Sequence, residues 1–299
     1  MSDWSIISVP IYTLARYKGM GDAPAALRRA GLGRVLGTAG ELGSVALPPL
    51  RRDTVEGTVK NLTHFRAANS LVYKAARSMV AERLLVVGGE CSETVGIMGG
   101  LSEGFKGKAG MLWLDAHGDF NTPETSPSGY IGGMCLAMAC GRTPGLGLEV
   151  GARGAPLADE RLVHVGSRAL DQSEVVAFNS SPAKLYTAQQ VKKSGASDVA
   201  EEAARHLDNR SDWIACHLDV DVVDPQFIPA VNYPTPEGLL PEQAVAVVKE
   251  VLRTGKLKAL EVAAYNPSLD RNGASAAQIV ALLKSIFGTA PSPAGNTPL

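Results

Sequence analysis

The sequence predicts an α/β fold, a three-layer sandwich in which helices cover both faces of a parallel β-sheet. Six short apolar runs are continuous rather than alternating, which is typical of strands buried on both faces: SIISVP, LLVVGG, GMLWLDAHGD, RLVHVGSR, DWIACHLDVD and LKALEVAAYNP. Segments with helical spacing or turn residues follow these runs. This alternation of strand and helix indicates a parallel sheet with crossover helices.

Helical spacing of the apolar residues locates the helices between the strands. It predicts helices over residues 24–31, 198–207, 241–252 and 275–287, and one or two helices over residues 54–82. The chain has no repeat and no internal linker of biased composition, so we expect a single domain over residues 1–288. Residues 289–299 are rich in Pro, Gly and Ser, which predicts a disordered tail.

Charge and composition argue against several classes of protein. The 299 residues include 29 Lys and Arg and 30 Asp and Glu, so no imbalance indicates binding to nucleic acid or to an anionic membrane. No apolar run reaches the length of about 18 residues that a membrane-spanning helix needs, and no secretory signal is expected. The cysteines form no CxxC pair, which is typical of free thiols in a reducing compartment. We therefore expect a cytoplasmic protein that binds a small molecule.

Acidic and imidazole side chains follow the apolar runs, at the positions where open parallel sheets bind ligands. Asp115, His117 and Asp119 follow MLWL at alternate positions, and Asp219 and Asp221 follow WIACHL. Residues two apart in a strand point to the same side, so these side chains can converge. Four half-buried acids need a compensating cation. Carboxylates with imidazole favour Mn²⁺ or a similar hard ion, and two ions where the acids are numerous enough to bridge.

A purely structural interpretation of these acids is weaker. Single aspartates at strand ends often cap the next helix or form turns, but two such motifs, each at the end of an apolar run, favour a metal site. Glu90, which follows LLVVGG, fits either a contact to that site or a helix-start acid. His217 is interpreted as a core histidine or one that supports a metal ligand. Cys216 is expected to point to the opposite side of its strand.

The order of these motifs resembles the ureohydrolase family, the arginases and agmatinases. The matching segments are GDAPAALRRAGL near the start, VVGGECS where the family has GGDHS, DAHGDFNTPETSPSG, HLDVDVVDP and LEVAAYNPSLD. The resemblance spans nearly the whole chain. It implies an eight-stranded parallel sheet and a centre of two Mn²⁺ ions per chain.

The resemblance also implies roles for the matched residues. Asp115 and Asp219 would bridge the two ions, while the first ion is completed by Cys91 and Asp119 and the second by His117 and Asp221. A water shared by the ions would attack a guanidino carbon. The residues assigned to catalysis are Asp119 and Glu261, the latter because it matches the acid that orients the guanidinium group. The substrate would contact Asn121, Ser128, Tyr130, Asp171, Tyr233 and Glu261, and this set favours a guanidino amino acid over agmatine.

Four positions depart from the family pattern. Cys91 stands where the family has a histidine metal ligand, and Gly132 stands where arginases have the histidine that shuttles protons. Tyr130 replaces an asparagine and Tyr233 replaces a threonine that line the arginine pocket. We therefore expect a metal centre that differs from that of the family at one ligand. We also expect a substrate pocket with a different shape and polarity.

Three explanations of these departures stay open. An inactive ureohydrolase fold kept for binding would be expected to lose ligands, yet five of the six ligand positions are intact and a thiolate is a competent ligand. An arginase or agmatinase could use another group for proton transfer. A third explanation is a less basic substrate, Nω-hydroxy-L-arginine, whose hydrolysis needs less help from a proton donor. This substrate accounts for both departures, the cysteine at position 91 and the glycine at position 132. The pattern is similar to the branch of the family that hydrolyses this compound to hydroxyurea and L-ornithine for D-cycloserine biosynthesis, and we take that activity as the expectation.

Overall fold

An eight-stranded β-sheet forms the centre of the protein, and all its neighbouring strands are parallel. The computed structural model describes residues 4–35, 41–80, 83–146 and 157–288. Its strands are β1 (Trp4–Val9), β2 (Glu41–Ser44), β3 (Val55–Glu56), β4 (Val59–Lys60), β5 (Arg83–Gly88), β6 (Ala109–Leu114), β7 (Leu162–Ser167), β8 (Lys184–Thr187), β9 (Trp213–Asp219) and β10 (Leu257–Ala263). The order in the sheet is β2-β1-β5-β10-β9-β6-β7-β8, and β3 and β4 form a separate antiparallel hairpin.

Helices cover both faces of this sheet. They are α1 (Ala23–Arg29), α2 (Leu62–Ser78), α3 (Thr94–Gly104), α4 (Cys135–Ala139), α5 (Gln172–Asn179), α6 (Ala188–Ser194), α7 (Ala196–Asp208), α8 (Pro241–Arg253) and α9 (Ala274–Phe287). Buried residues of α1 and α6–α9 pack on one face, and those of α2–α5 pack on the other. The predicted three-layer sandwich with an eight-stranded parallel sheet is therefore confirmed.

Strand β9 shows why its sequence is continuously apolar. Ile214, Cys216 and Leu218 pack in the core on the side of α1 and α6–α9, whereas Trp213 and Ala215 pack on the side of α2–α5. Both faces are buried, so apolar residues occur at both sets of alternating positions, and the polar side chains of His217 and Asp219 come only at the carboxyl end. Cys216 thus points into packing, as the sequence predicts, and all four cysteines are buried and free.

Most of the predicted elements are confirmed, with one correction, and several shorter elements were not predicted. Helices α1, α7, α8 and α9 lie where helical spacing predicts them. The prediction of helix from residue 54 is wrong, because residues 55–60 form the β3–β4 hairpin and α2 begins only at Leu62. Gly57 and Asn61 have positive φ angles of 64° and 55°, a left-handed conformation that a helix cannot continue through.

The two strands of the eight-stranded sheet that the sequence analysis missed, β2 and β8, are its edge strands. The hairpin strands β3 and β4 and helices α3–α6 were not predicted either. β2 and β8 are four residues each, and β8 is partly exposed, so it lacks the continuous apolar run of a central strand. The predicted disordered tail, residues 289–299, lies outside the described residues. Within the described ranges, no helix combines the length and apolar character needed to cross a membrane.

Candidate metal centre and substrate cavity

Four neighbouring strands deliver the candidate site residues to one edge of the sheet. β5, β10, β9 and β6 lie side by side, and their carboxyl ends lead into Cys91, Ala264, Asp219 and Asp115 respectively. In a parallel sheet these ends meet at the same edge, so the segments that follow them converge. The predicted convergence of the two Asp-containing motifs is therefore what the topology produces.

Two groups of metal-ligand types lie at this edge. In the first group, one ligand atom from each residue lies within 4.8 Å of all the others, and the members are Cys91, Asp115, His217 and Asp219. The second group, with the same spacing, contains Asp115, His117 and Asp221. Asp115 belongs to both groups. One thiol, two imidazoles and three carboxylates form a donor set that suits a pair of divalent transition-metal ions.

The carboxylates are held in place by backbone and indole donors. Asp115 accepts hydrogen bonds from the backbone N–H of His117 (2.7 Å) and from Trp113 Nε1 (3.0 Å). Asp219 accepts from the backbone N–H of Asp221 (2.7 Å), and the Cys91 thiol donates to its other oxygen (3.1 Å). These bonds fix the carboxylate orientations independently of any metal, which preorganises the centre.

Asp119 lies at the edge of this centre rather than within either group. Its backbone is left-handed, with φ of 48°, and its carbonyl accepts from the first residues of α4, Leu136 (3.0 Å) and Ala137 (3.2 Å). Its carboxylate accepts from the Cys135 thiol at 3.3 Å and lines the cavity described below. Its role as a metal ligand stays a prediction.

The electrostatics of the centre indicate missing positive charge. Burial raises the pKa of Asp115, Asp119 and Asp219 above the usual range, and neighbouring carboxylates raise it further. Burial also opposes ionisation of Asp221 and His117, but their mutual attraction prevails: the Asp221 pKa is lowered, and the His117 pKa is raised to about 12. One histidine cation cannot neutralise four acids, so a divalent cation fits the residues present.

A cavity of about 220 Å³ opens above the centre. It brings together most of the predicted site residues, namely Cys91, His117, Asp119, Asn121, Ser128, Tyr130, Asp171, Tyr233, Asp219 and Asp221. Glu90, Glu174 and Asn232 also line it, and of these the sequence analysis had considered only Glu90. None of the described lining residues is Lys or Arg. A cavity with acidic walls and without basic groups favours a cationic ligand.

Glu261 does not reach this cavity, which departs from its predicted contact with the guanidinium group. Its side chain is 3% exposed, and it is not among the described residues that line the cavity. The carboxylate instead accepts a hydrogen bond from Thr94 Oγ1 (2.6 Å) and lies 3.3 Å from His217 Nδ1. The cavity wall is formed by Ala264, three residues later, whose φ of 69° turns the chain after β10.

One end of the cavity is built on the N-terminus of α5. Asn121 Nδ2 donates to Asp171 (2.8 Å), which precedes the helix. Glu174 accepts from the backbone N–H of Asp171 (2.9 Å) and of Phe120 (2.9 Å). The Asp-x-x-Glu spacing is that of a capping box, so it could have located α5 in the sequence, although it does not reveal that Glu174 faces the cavity.

Tyrosines form another wall of the cavity. The Tyr130 hydroxyl donates to Glu90 at 2.8 Å, and the rings of Tyr130 and Tyr233 both pack edge-on against Tyr17. Tyr233 hydrogen-bonds to Tyr17 through its hydroxyl and lies 5.8 Å from the His117 ring. The two tyrosines that replace smaller polar residues of the family pattern therefore belong to one aromatic wall.

Comparisons with known proteins agree with this architecture. The model of the Arginase family matches residues 2–288. The chain is 31% identical to the arginase of Bacillus caldovelox over 296 residues, which cover 96% of this chain and 99% of that protein. It is 32% identical to the arginase of Brevibacillus brevis over 290 residues, covering 95% and 97%.

Solved structures give the same result. The structure of arginase from Bacillus caldovelox superimposes with a TM-score of 0.90 at 30% identity and covers 97% of this chain and 99% of its own. Entamoeba histolytica arginase in complex with L-ornithine superimposes with a TM-score of 0.89 at 26% identity, covering 96% and 98%. With the parallel sheet, the ligand cluster at its carboxyl edge and these similarities, the chain belongs to the arginase family.

Proposed function

We propose that the protein is a binuclear manganese amidinohydrolase that cleaves Nω-hydroxy-L-arginine to hydroxyurea and L-ornithine. Membership of the arginase family supports hydrolysis of a guanidino group. The observation that carries the choice of substrate is the arrangement of Tyr130, Gly132 and Glu90, because it changes the acid–base groups that face the reacting end of the cavity.

The two ligand groups that share Asp115 would hold the ions. Bound there, a metal pair supplies Lewis acidity and an activated water for attack on the guanidino carbon. The chain's own part is to keep Asp115 and Asp219 oriented through their backbone donors and to bury the centre. A thiol at Cys91 also leaves room for softer ions such as Zn²⁺ or Fe²⁺, so manganese is part of the proposal.

The amino acid end of the substrate is assigned to the α5 side of the cavity. The carboxylates of Asp171 and Glu174 are placed to receive an α-ammonium group, and the neutral donors Asn121 and Ser128 to receive an α-carboxylate. Charge-assisted hydrogen bonds of this kind are the strong ones. Agmatine keeps the corresponding ammonium group but has no α-carboxylate, so the contacts from Asn121 and Ser128 favour a guanidino amino acid.

The reacting end of the substrate is assigned to Glu90 and Tyr130. Arginine has a pKa of roughly 12.5 or above, and its leaving amine needs a proton donor that arginases provide through the histidine absent at Gly132. N-hydroxylation makes the guanidino group less basic. It also adds a hydroxyl that can donate a hydrogen bond to Glu90 and contact Tyr130. A substrate of this kind therefore depends less on the missing histidine.

Arginase activity is the alternative. Relatives about 30% identical over nearly the whole chain are arginases, and the α5 end of the cavity keeps the groups expected to hold an amino acid. An inactive binding protein is less well supported, since the donor groups and the cavity are both present.

A substrate panel tests the proposal. The manganese-loaded protein is incubated with Nω-hydroxy-L-arginine, L-arginine and agmatine, and hydroxyurea, ornithine and putrescine are quantified by mass spectrometry. We expect hydroxyurea and ornithine from the hydroxylated substrate and little putrescine from agmatine. If no substrate in the panel is hydrolysed by protein that holds two Mn²⁺ per chain, the proposal is wrong.

A further inference from the structure

His217 is a fully buried histidine that belongs to the first group of candidate metal ligands. It lies in β9 two residues before Asp219 and therefore on the same side of the strand. Its ring stacks on Trp113 with centroids 3.8 Å apart and an interplanar angle of 18°. Packing alone would explain its position, but the surroundings of its two ring nitrogens differ.

Nδ1 of His217 has two oxygen neighbours. Thr94 Oγ1 lies at 3.2 Å and Glu261 Oε2 at 3.3 Å. The Thr94 hydroxyl already donates its hydrogen to Glu261, at 2.6 Å. Both oxygens can therefore only accept a hydrogen from Nδ1, which places the imidazole proton on Nδ1 and leaves the lone pair on Nε2.

Nε2 of His217 has no hydrogen-bond partner among the described residues, although the ring is buried. A buried polar atom without a partner lowers the stability of the fold by about 1–3 kcal/mol. We therefore expect Nε2 to have a partner that accepts its lone pair. A ring nitrogen of His217 lies within 4.8 Å of ligand atoms of Cys91, Asp115 and Asp219. A metal ion bound by those three residues would be that partner.

We propose that Nε2 of His217 is the imidazole ligand of the metal ion on the Cys91 side of the centre. The proposal deepens the proposed function and rests on its metal centre. The imidazole that the family has at position 91 is supplied here from β9, and Cys91 contributes a thiolate beside it. Glu261 is then a positioning residue, because metal-bound histidines usually donate their other N–H to a carboxylate or carbonyl that fixes the ring.

Metal titration of His217 variants tests this assignment. His217→Ala and His217→Gln are stripped of metal and titrated with Mn²⁺ by calorimetry, with metal content checked by elemental analysis. We expect one of the two equivalents to bind about 10-fold more weakly or worse, while the equivalent held by His117 and Asp221 is retained. The proposal is overturned if folded variants bind both equivalents with the wild-type affinity.

His164→Gln is a matched control. His164 is also fully buried, with Nε2 bonded to the His117 carbonyl at 2.8 Å and Nδ1 without a partner, but it belongs to neither ligand group. We expect this variant to bind both equivalents with unchanged affinity. A loss as large as that of His217→Gln would mean that removing any buried histidine perturbs the centre, which overturns the specific role of His217.

A rescue variant and a direct measurement on the wild-type protein test the proposal even if the single variants misfold. Adding Cys91→His to His217→Ala returns an imidazole to the same ion, so the weakened equivalent should recover affinity. In a crystal structure of the metal-loaded wild-type protein, anomalous scattering should place an ion about 2.0–2.3 Å from His217 Nε2. An ion bound by Cys91 with Nε2 more than about 3 Å away contradicts the proposal.

The outcomes separate this inference from the proposed function. Wild-type protein that fails to bind two ions would overturn the metal centre and both proposals with it. Wild-type protein that binds two ions and hydrolyses Nω-hydroxy-L-arginine, with His217→Gln still holding both ions tightly, would leave the proposed function standing and overturn only the role of His217.

Discussion

The ring of Tyr130 occupies the space that a side chain at position 132 would need. A Cβ atom built on Gly132 lies 2.5 Å from Cζ and 2.6 Å from the hydroxyl oxygen of Tyr130. That hydroxyl is bonded to Glu90, so the ring cannot move aside without losing a hydrogen bond to a buried carboxylate. The two departures from the family pattern at positions 130 and 132 are thus one structural change.

This relationship predicts coupling between the two positions. Gly132→Ala should displace the Tyr130 ring and lower both stability and activity towards Nω-hydroxy-L-arginine, whereas in a Tyr130→Ala background the added methyl group should be tolerated. A double-mutant cycle on urea unfolding and on kcat/KM should give a coupling of about 0.5–3 kcal/mol. Strictly additive effects would show that the two residues do not share the space.

The Tyr130 hydroxyl is predicted to matter for the reaction. Tyr130→Phe leaves the Glu90 carboxylate without this donor, which costs about 1.5–3 kcal/mol for a bond to a charged group. We expect kcat/KM for Nω-hydroxy-L-arginine to fall about 10-fold or more. Tyr265→Phe is the control, because it removes an equally long bond, 2.8 Å to Asp270, away from the cavity. A similar loss in both variants would exclude a specific role.

Asn121 is predicted to recognise the α-carboxylate of the product as well as of the substrate. Asn121→Ala should weaken L-ornithine binding about 10-fold and leave putrescine, which has no carboxylate, unaffected. Calorimetric titration of the manganese form with both amines checks this. If L-ornithine and putrescine binding were weakened equally, Asn121 would act by holding Asp171 in place and not by recognising the carboxylate.

Metal removal is predicted to destabilise the fold. Without a cation, the buried carboxylate of Asp219 has no positively charged partner among the described residues, and Asp115 shares the imidazole of His117 with Asp221. Ligand linkage gives about 2.7 kcal/mol per ion when free Mn²⁺ is 100 times its Kd. Differential scanning calorimetry should therefore show a Tm that falls after chelation and rises again with added Mn²⁺. A Tm independent of Mn²⁺ would mean that the centre does not bind it.

The central strands and the residues of the candidate metal-ligand cluster could be predicted from the sequence because both depend on local pattern. Continuous apolar runs identify strands buried on both faces, and topology then brings the residues after β6 and β9 together. Edge strands such as β8 do not show this pattern because their residues are only partly buried. The cavity wall at the N-terminus of α5, which includes Glu174, could not be predicted either. The sequence of a capping box is the same whether or not the helix end faces a cavity.

Glu261 shows why the sequence does not place every site residue. Whether a residue near the end of β10 lines the cavity or lies beneath the candidate metal centre depends on the residue at which the strand ends. The chain leaves β10 after Ala263, so Ala264 reaches the cavity and Glu261 lies beside His217. No local pattern in the sequence gives that boundary.

The cavity is proposed to bind a hydroxylated guanidino amino acid. The most direct test is the ratio of kcat/KM for Nω-hydroxy-L-arginine to that for L-arginine, measured on protein with two Mn²⁺ per chain at one pH. We expect a clear preference for the hydroxylated substrate, with hydroxyurea and L-ornithine formed in equal amounts. Equal turnover of L-arginine would contradict it and identify the protein as an arginase with another route for proton transfer.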